Sequence, residues 1–373
     1  MALKLRGSMV ALVTPFRDGR LDEPALARLI ERHVLEGTSA LVPCGTTGES
    51  ATLSHDEHDR VIELVVQHAR GRIPVIAGTG SNNTQEAIRL TKHAKRAGAD
   101  AALLISPYYN KPTQKGLYLH FKAVAEAVEL PLVLYNIASR TAVNIEPETV
   151  ARLAADVPTI VGIKEASGSL EQMSRILQLT NRRLVLLSGD DALTLPVMAI
   201  GGTGVISVVA NLVPGEVAAM VEQFEGGRLR EAMRSHDRLL PLVKAMFIET
   251  NPIPVKTAMG ILGMIDPELR LPLCAMEGAN LEKLRAALDA YGLRKSRQAA
   301  GDAGRPEAAA GGETVSEQHV RRAERARRRA SARRARPGAP SERRARWASR
   351  SGAANGLRAR PRDPRRQESR CQR

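Results

Sequence analysis

Cysteine is scarce in this 373-residue chain: Cys44, Cys274 and Cys371 are odd in number and far apart. That argues against a disulfide framework, leaves no pair at metal-ligand spacing and suits a reducing compartment. Long apolar runs are missing as well, since no window approaches the roughly 18 uninterrupted apolar residues of a membrane span. The opening segment MALKLRGSMVALVTPF has one short apolar patch broken by Lys4, Arg6 and Pro15, without a small-residue cleavage site. It reads as a first strand, and a soluble, cytoplasmic protein without a membrane partner is expected. Net charge, too, is absent from most of the chain. The formal +15 lies wholly after Arg294, where 23 Lys and Arg face 8 Asp and Glu, whereas residues 1 to 294 hold 32 of each sign. Overall basicity is therefore no sign that the folded part binds nucleic acid.

What is present is a repeat of short Val, Ile, Leu and Ala runs, each followed by a stretch of helical periodicity. The runs are MVALVTPF (9–16), SALVPCG (39–45), IPVIAGTG (73–80), AALLISPYYN (101–110), LPLVLYNIAS (130–139), TIVGIKEAS (159–167), LVLLSGDD (184–191) and GVISVVAN (204–211). They are continuously apolar, as parallel strands covered on both faces are. Helical segments such as 23–37, 56–70 and 84–98 fit between them. Eight strand–helix units in about 220 residues match a (β/α)8 TIM barrel of the α/β class. A doubly wound sheet is the alternative, but the first strand is not followed by a Gly-rich dinucleotide fingerprint. The expected division is a barrel over 1–225, a C-terminal module of three helices over 226–294, and a low-complexity, disordered Arg-rich tail over 295–373. The cluster RRAERARRRASARRARP at 321 to 337 reads as a solvated tail or shifted-frame translation before a nucleic-acid arm.

In a parallel barrel all strand carboxyl ends open on one face, so they form one list. Lys164 ends the sixth run. Val161 and Ile163 would desolvate its ammonium and favour the free amine that attacks a ketone. The bland alternative is a lysine whose head snorkels to solvent or pairs with an acid such as Glu165. The second run ends in GTTGES, whose Thr46 and Thr47 offer hydroxyls and amide donors to a small carboxylate. The fourth ends in Tyr108 and Tyr109, the fifth in Tyr135 followed by Arg140, the seventh in Gly189 and Asp190. Tyrosine and threonine hydroxyls shuttle protons, and Arg140 offers a planar fork for a second carboxylate or is simply a surface side chain.

The motifs GTTGES, PYYNKP, YNIASRT, GIKEAS, SGDD and GVISVVAN, in this order and spacing, resemble the 4-hydroxy-tetrahydrodipicolinate synthase (dihydrodipicolinate synthase) family over residues 1 to about 293. The resemblance implies a class I aldolase-like barrel, commonly a homotetramer built as a dimer of dimers, that condenses pyruvate with L-aspartate 4-semialdehyde on the route to diaminopimelate and lysine. It implies no metal and no organic cofactor. Carried over by position, Lys164 forms the Schiff base, and Thr46, Tyr135 and Tyr109 form a proton relay with Tyr109 lent by a neighbouring subunit. Thr47 holds pyruvate's carboxylate, Arg140 receives that of the aldehyde, and the Gly189 and Ile206 carbonyls line the second pocket. Ala138 and Ala142 stand where the family frequently has proline and glycine, so a looser or rerouted Arg140 loop is expected.

His55 and His58 lie one helical turn apart, yet without a third nearby ligand they read as paired surface histidines rather than a metal site. The resemblance instead matches Ser50, Ala51, His55, His58, Asn82, Glu86 and Tyr108 to an allosteric L-lysine site. Glu86 would take the effector's amine, and Asn82 and Tyr108 its carboxylate. Two rivals stand beside this reading: a sister pyruvate lyase acting on a sugar acid, and an idle barrel retained for RNA binding through its tail.

Overall fold

The computed structural model describes residues 3–294, so the Arg-rich tail expected over 295–373 lies outside the described residues. Eight parallel strands carry the fold: β1 (Gly7–Ala11), β2 (Ala40–Val42), β3 (Ile76–Gly78), β4 (Ala101–Ile105), β5 (Leu132–Asn136), β6 (Ile160–Glu165), β7 (Val185–Ser188) and β8 (Gly204–Ser207). Each falls within or across one of the eight apolar runs. Their order around the sheet is β2-β1-β8-β7-β6-β5-β4-β3, and a parallel bridge between Leu41 and Val75 joins the two ends. The sheet is a (β/α)8 barrel.

Strand residues alternate between two apolar environments, which is why the runs show no polar face. Met9, Ala11, Val42, Ile76, Leu103, Val133, Tyr135, Leu187 and Ile206 share the cluster inside the barrel. Their neighbours Val10, Leu41 and Val205 face outward into one helix-packed cluster, and Leu104, Leu134, Ile163 and Leu186 into another. The covering helices are α1 (Glu23–Leu35), α2 (His55–Ala69), α3 (Thr84–Ala97), α4 (Gln114–Ala127), α5 (Pro147–Asp156), α6 (Leu170–Leu179), α7 (Thr194–Ala199) and α8 (Pro214–Glu225). Local sequence fixes their starts. Ser54 and Glu57 form a reciprocal capping box that opens α2 directly at His55. Asn83 accepts the N–H groups of Gln85 and Glu86 at the start of α3.

Three more helices follow, α9 (Leu229–Ala245), α10 (Ile253–Ile261) and α11 (Gly278–Tyr291). Leu239, Leu242, Val255, Leu284 and Leu288 join the outer cluster that contains β1, α1 and α8, so these helices share the barrel's core. Among the described residues no helix is long and apolar enough to cross a membrane.

Candidate active site

Lys164 on β6 and Tyr135 on β5 are partners in the parallel register, so both side chains enter the barrel interior. The lysine nitrogen lies 4.2 Å from the centroid of the Tyr135 ring. Burial drives the ammonium down to about 8, with Asp191 opposing the shift and Arg140 adding to it. Burial also pushes the Tyr135 phenol up to about 12, against the pull of Arg140 and the Thr46 hydroxyl. The phenol is therefore protonated at neutral pH. Asp191 is itself buried and its carboxyl raised by desolvation, although the N–H groups of Val208 and Val209 donate to it at 2.9 and 3.3 Å.

Glu165 does not pair with Lys164. One residue along the strand it points to the opposite face, where it is fully buried. There it accepts from the Asn136 side-chain amide at 3.1 and 3.2 Å, from Ser167 N–H at 2.7 Å and from Gln172 Nε2 at 3.0 Å. Those donors leave the lysine without that acid and at 6% exposure, so it is not a snorkelling side chain either. Gly189 lies beside it. A Cβ at Gly189 would stand 2.7 Å from Cβ of Ala166 and 3.1 Å from Cε of Lys164.

Tyr135, the neighbour of Lys164, also lines a cleft of about 290 Å³, together with Thr46, Ser50, Ala51, Tyr108 and Arg140. The register puts Ile206 on the inner face of the same barrel, next to Met9 of β1. Thr47 is buried, and its hydroxyl accepts from Asn251 Nδ2 at 3.0 Å. Arg140 belongs to the short helix Ala138–Thr141 that follows β5, and its guanidinium donates to the Asn251 carbonyl at 3.3 Å. Asn251 thus touches both groups read as carboxylate binders, and it escaped the sequence reading. Its trace is the proline-dense NPIP at 251–254, which signals a turn but not its position against a barrel mouth. Tyr109 does not line the cleft of its own chain; it is 90% exposed, in a left-handed backbone conformation with φ of 70°.

The residues matched to an effector site divide into two groups. Ser50, Ala51 and Tyr108 share the cleft wall. Glu86 instead holds His55 Nε2 at 2.7 Å and accepts the Ser81 hydroxyl, and these bonds keep its carboxyl below the usual range, the Ser81 bond most of all. The Asn82 carbonyl accepts from Asn110 Nδ2 at 2.9 Å. His58 corrects the expectation of paired surface histidines: it is buried, with Nε2 at 2.9 Å from the Gly78 carbonyl, and desolvation holds its pKa down.

A family model described as the dihydrodipicolinate synthetase family matches residues 4–291. The chain belongs to the dihydrodipicolinate synthetase family. It is 57% identical over 288 residues to the 4-hydroxy-tetrahydrodipicolinate synthase of Syntrophus aciditrophicus (strain SB), covering 77% of this chain and 99% of that relative. The structure is similar to dihydrodipicolinate synthase from Acinetobacter baumannii complexed with pyruvate, at 46% identity and a TM-score of 0.76 over 78% of this chain and all of the other. It is similar as well to the enzyme from Cyanidioschyzon merolae with lysine bound, at 43% identity and a TM-score of 0.75 over 78% of this chain and 99% of that one. Membership makes the protein a lyase-family enzyme and removes the idle-barrel rival.

Proposed function

We propose that this enzyme condenses pyruvate with L-aspartate 4-semialdehyde through an imine on Lys164, giving 4-hydroxy-tetrahydrodipicolinate. The observation that carries the reading is the buried Lys164 amine, brought down to about 8 beside a Tyr135 phenol raised to about 12. A useful fraction of such an amine is neutral near physiological pH, and its lone pair attacks the pyruvate ketone carbon. The carbinolamine hydroxyl leaves as water once protonated. Tyr135, still carrying its proton, and Thr46 are the donors at hand, with Tyr109 of a neighbouring subunit completing the relay. Loss of a methyl proton then yields the enamine that attacks the aldehyde carbon, after which the aldehyde substrate's own amine closes the ring on the imine carbon and displaces the Lys164 amine, releasing the product. Thr47 holds the pyruvate carboxylate and Arg140 that of the aldehyde, while the Gly189 and Ile206 carbonyls bound the second pocket. This chemistry asks for no metal or organic cofactor.

The same reading assigns Ser50, Ala51, His55, His58, Asn82, Glu86 and Tyr108 to an inhibitory L-lysine site. Its support is that Ser50, Ala51 and Tyr108 share a cleft wall with Thr46 and Tyr135, and that a 43%-identical relative has lysine bound. An effector there would couple to the relay through Tyr108 and its neighbour Tyr109. A barrel over 1–225, a helical module over 226–294 and a dimer of dimers complete the proposal.

Borohydride reduction in the presence of pyruvate, followed by peptide mass spectrometry, tests the mechanism; an adduct on any residue other than Lys164 overturns it. Turnover with aspartate 4-semialdehyde tests the substrate pair. A titration with free L-lysine that stays flat to millimolar concentrations removes the regulatory half.

A further inference from the structure

Among the described residues one ion pair has both side chains fully buried, and none of the chemistry above uses it. Lys256 Nζ on α10 lies 2.5 Å from Glu49 Oε1, and both side chains are inaccessible. Glu49 closes the turn that presents Thr46 and Thr47: its N–H donates to the Thr46 carbonyl and that of Gly48 to the Gly45 carbonyl, each at 3.1 Å. Its φ is 52°, a left-handed conformation that a residue other than glycine keeps only where its surroundings over-determine it.

Those surroundings come from the C-terminal helices. Glu49 Oε2 accepts the backbone N–H of Arg270 at 3.2 Å while Oε1 takes Lys256, so the two carboxylate oxygens are fixed in different directions. Lys256 and Arg270 both stand over the Phe16 ring, 4.3 and 4.1 Å from its centroid. Arg270 also grips Glu57 on α2 through both guanidinium nitrogens, at 2.7 and 2.6 Å. From the barrel side the Thr14 hydroxyl holds the Gly48 carbonyl at 2.7 Å. A buried ion pair adds little stability that apolar residues of the same volume would not supply. A carboxylate anchored at two points in different directions constrains where the turn beneath it sits.

We propose that Glu49 and Lys256 are positioning residues: they set the Thr46–Thr47 turn at its working distance from Lys164, which makes pyruvate affinity depend on the C-terminal module. The inference rests on the reading of Lys164 and Thr47 as the pyruvate site. It is tested with the full chain as wild type and as Glu49→Gln/Lys256→Met, which removes both charges together. The wild type is trapped first, and absence of a pyruvate adduct there counts against the functional reading itself. Given that adduct, the folded double variant should need about tenfold more pyruvate for half-maximal trapping, with the KM for the aldehyde changed less than about threefold and any fall in kcat accompanying that shift rather than replacing it. An unchanged half-saturating pyruvate concentration, or a loss confined to kcat, overturns the proposal. Hydrogen exchange on the wild type gives a second reading that needs no variant. Pyruvate should slow exchange at residues 45–52 and at 253–261 together, and slowing at 45–52 alone overturns the proposal.

Discussion

At Lys164 the chemistry depends on one balance, between a buried environment that expels the ammonium and the nearby Asp191 that favours it, with the Tyr135 ring 4.2 Å away. Burial wins, and the amine titrates at about 8. Only the neutral amine attacks, and it is the minor form below that value. The rate of imine formation at limiting pyruvate is therefore expected to fall about tenfold per pH unit below 8 and to level off above it. A stopped-flow or trapping series from pH 6 to 9 reads this limb; a flat profile would mean that the amine is already neutral at pH 6. Gly189 makes a steric prediction at the same atom. Replacing it with alanine puts a methyl 3.1 Å from the lysine's Cε and 2.7 Å from the Ala166 methyl, so the lysine or its strand must shift. Gly189→Ala is expected to lower kcat/KM for pyruvate by about 100-fold while the protein stays folded. Steady-state kinetics beside a circular dichroism melt checks both halves.

Elements rather than single side chains decide how Arg140 is presented. The short helix Ala138–Thr141 ends with Ala142 as its left-handed cap, with φ of 56°, and the Ala142 N–H donates back to the Ala138 carbonyl at 2.9 Å. Alanine stands where the resemblance has glycine, and it is held in the left-handed conformation that favours glycine. Ala142→Gly should therefore stabilise the protein by about 1 kcal/mol, read as a higher melting temperature with the pyruvate KM unchanged. What holds the loop against that strain lies on the outer face of the barrel. Asn136 donates to Asn144 at 2.7 Å as well as to Glu165, and its own oxygen takes the Ile145 N–H at 3.0 Å. Here the legibility of the sequence divides by physical cause. Apolar runs and strand ends are local patterns, so the eight strands and the convergence of Thr46, Tyr135 and Lys164 could be read in advance. Glu165 as the hub of an amide network, Asn251 at the barrel mouth and the burial of His58 depend on partners far away in the chain. No periodicity encodes such pairings.

On the scale of the whole molecule, Tyr109 separates a complete site from an incomplete one. Within its own chain it is 90% exposed and is not part of the lining of the cleft that holds Thr46 and Tyr135, whereas its neighbour Tyr108 is. An exposed aromatic held on a left-handed backbone at a barrel rim is what a subunit that lends a side chain would present. The proposed relay therefore belongs to a pair of chains, and mixing can test it. Lys164→Ala and Tyr109→Phe should each be strongly impaired alone. Unfolding and refolding them together in equal amounts makes half of the dimers mixed. If Tyr109 acts across the interface, every mixed dimer carries one site with both residues intact and one with neither, so activity should recover to about a quarter of the wild-type value. If Tyr109 acts within its own chain, each site in the mixture lacks one residue or the other and no activity returns. The two outcomes differ in kind, so a single assay of the refolded mixture against the unmixed variants separates a shared active site from a self-contained one.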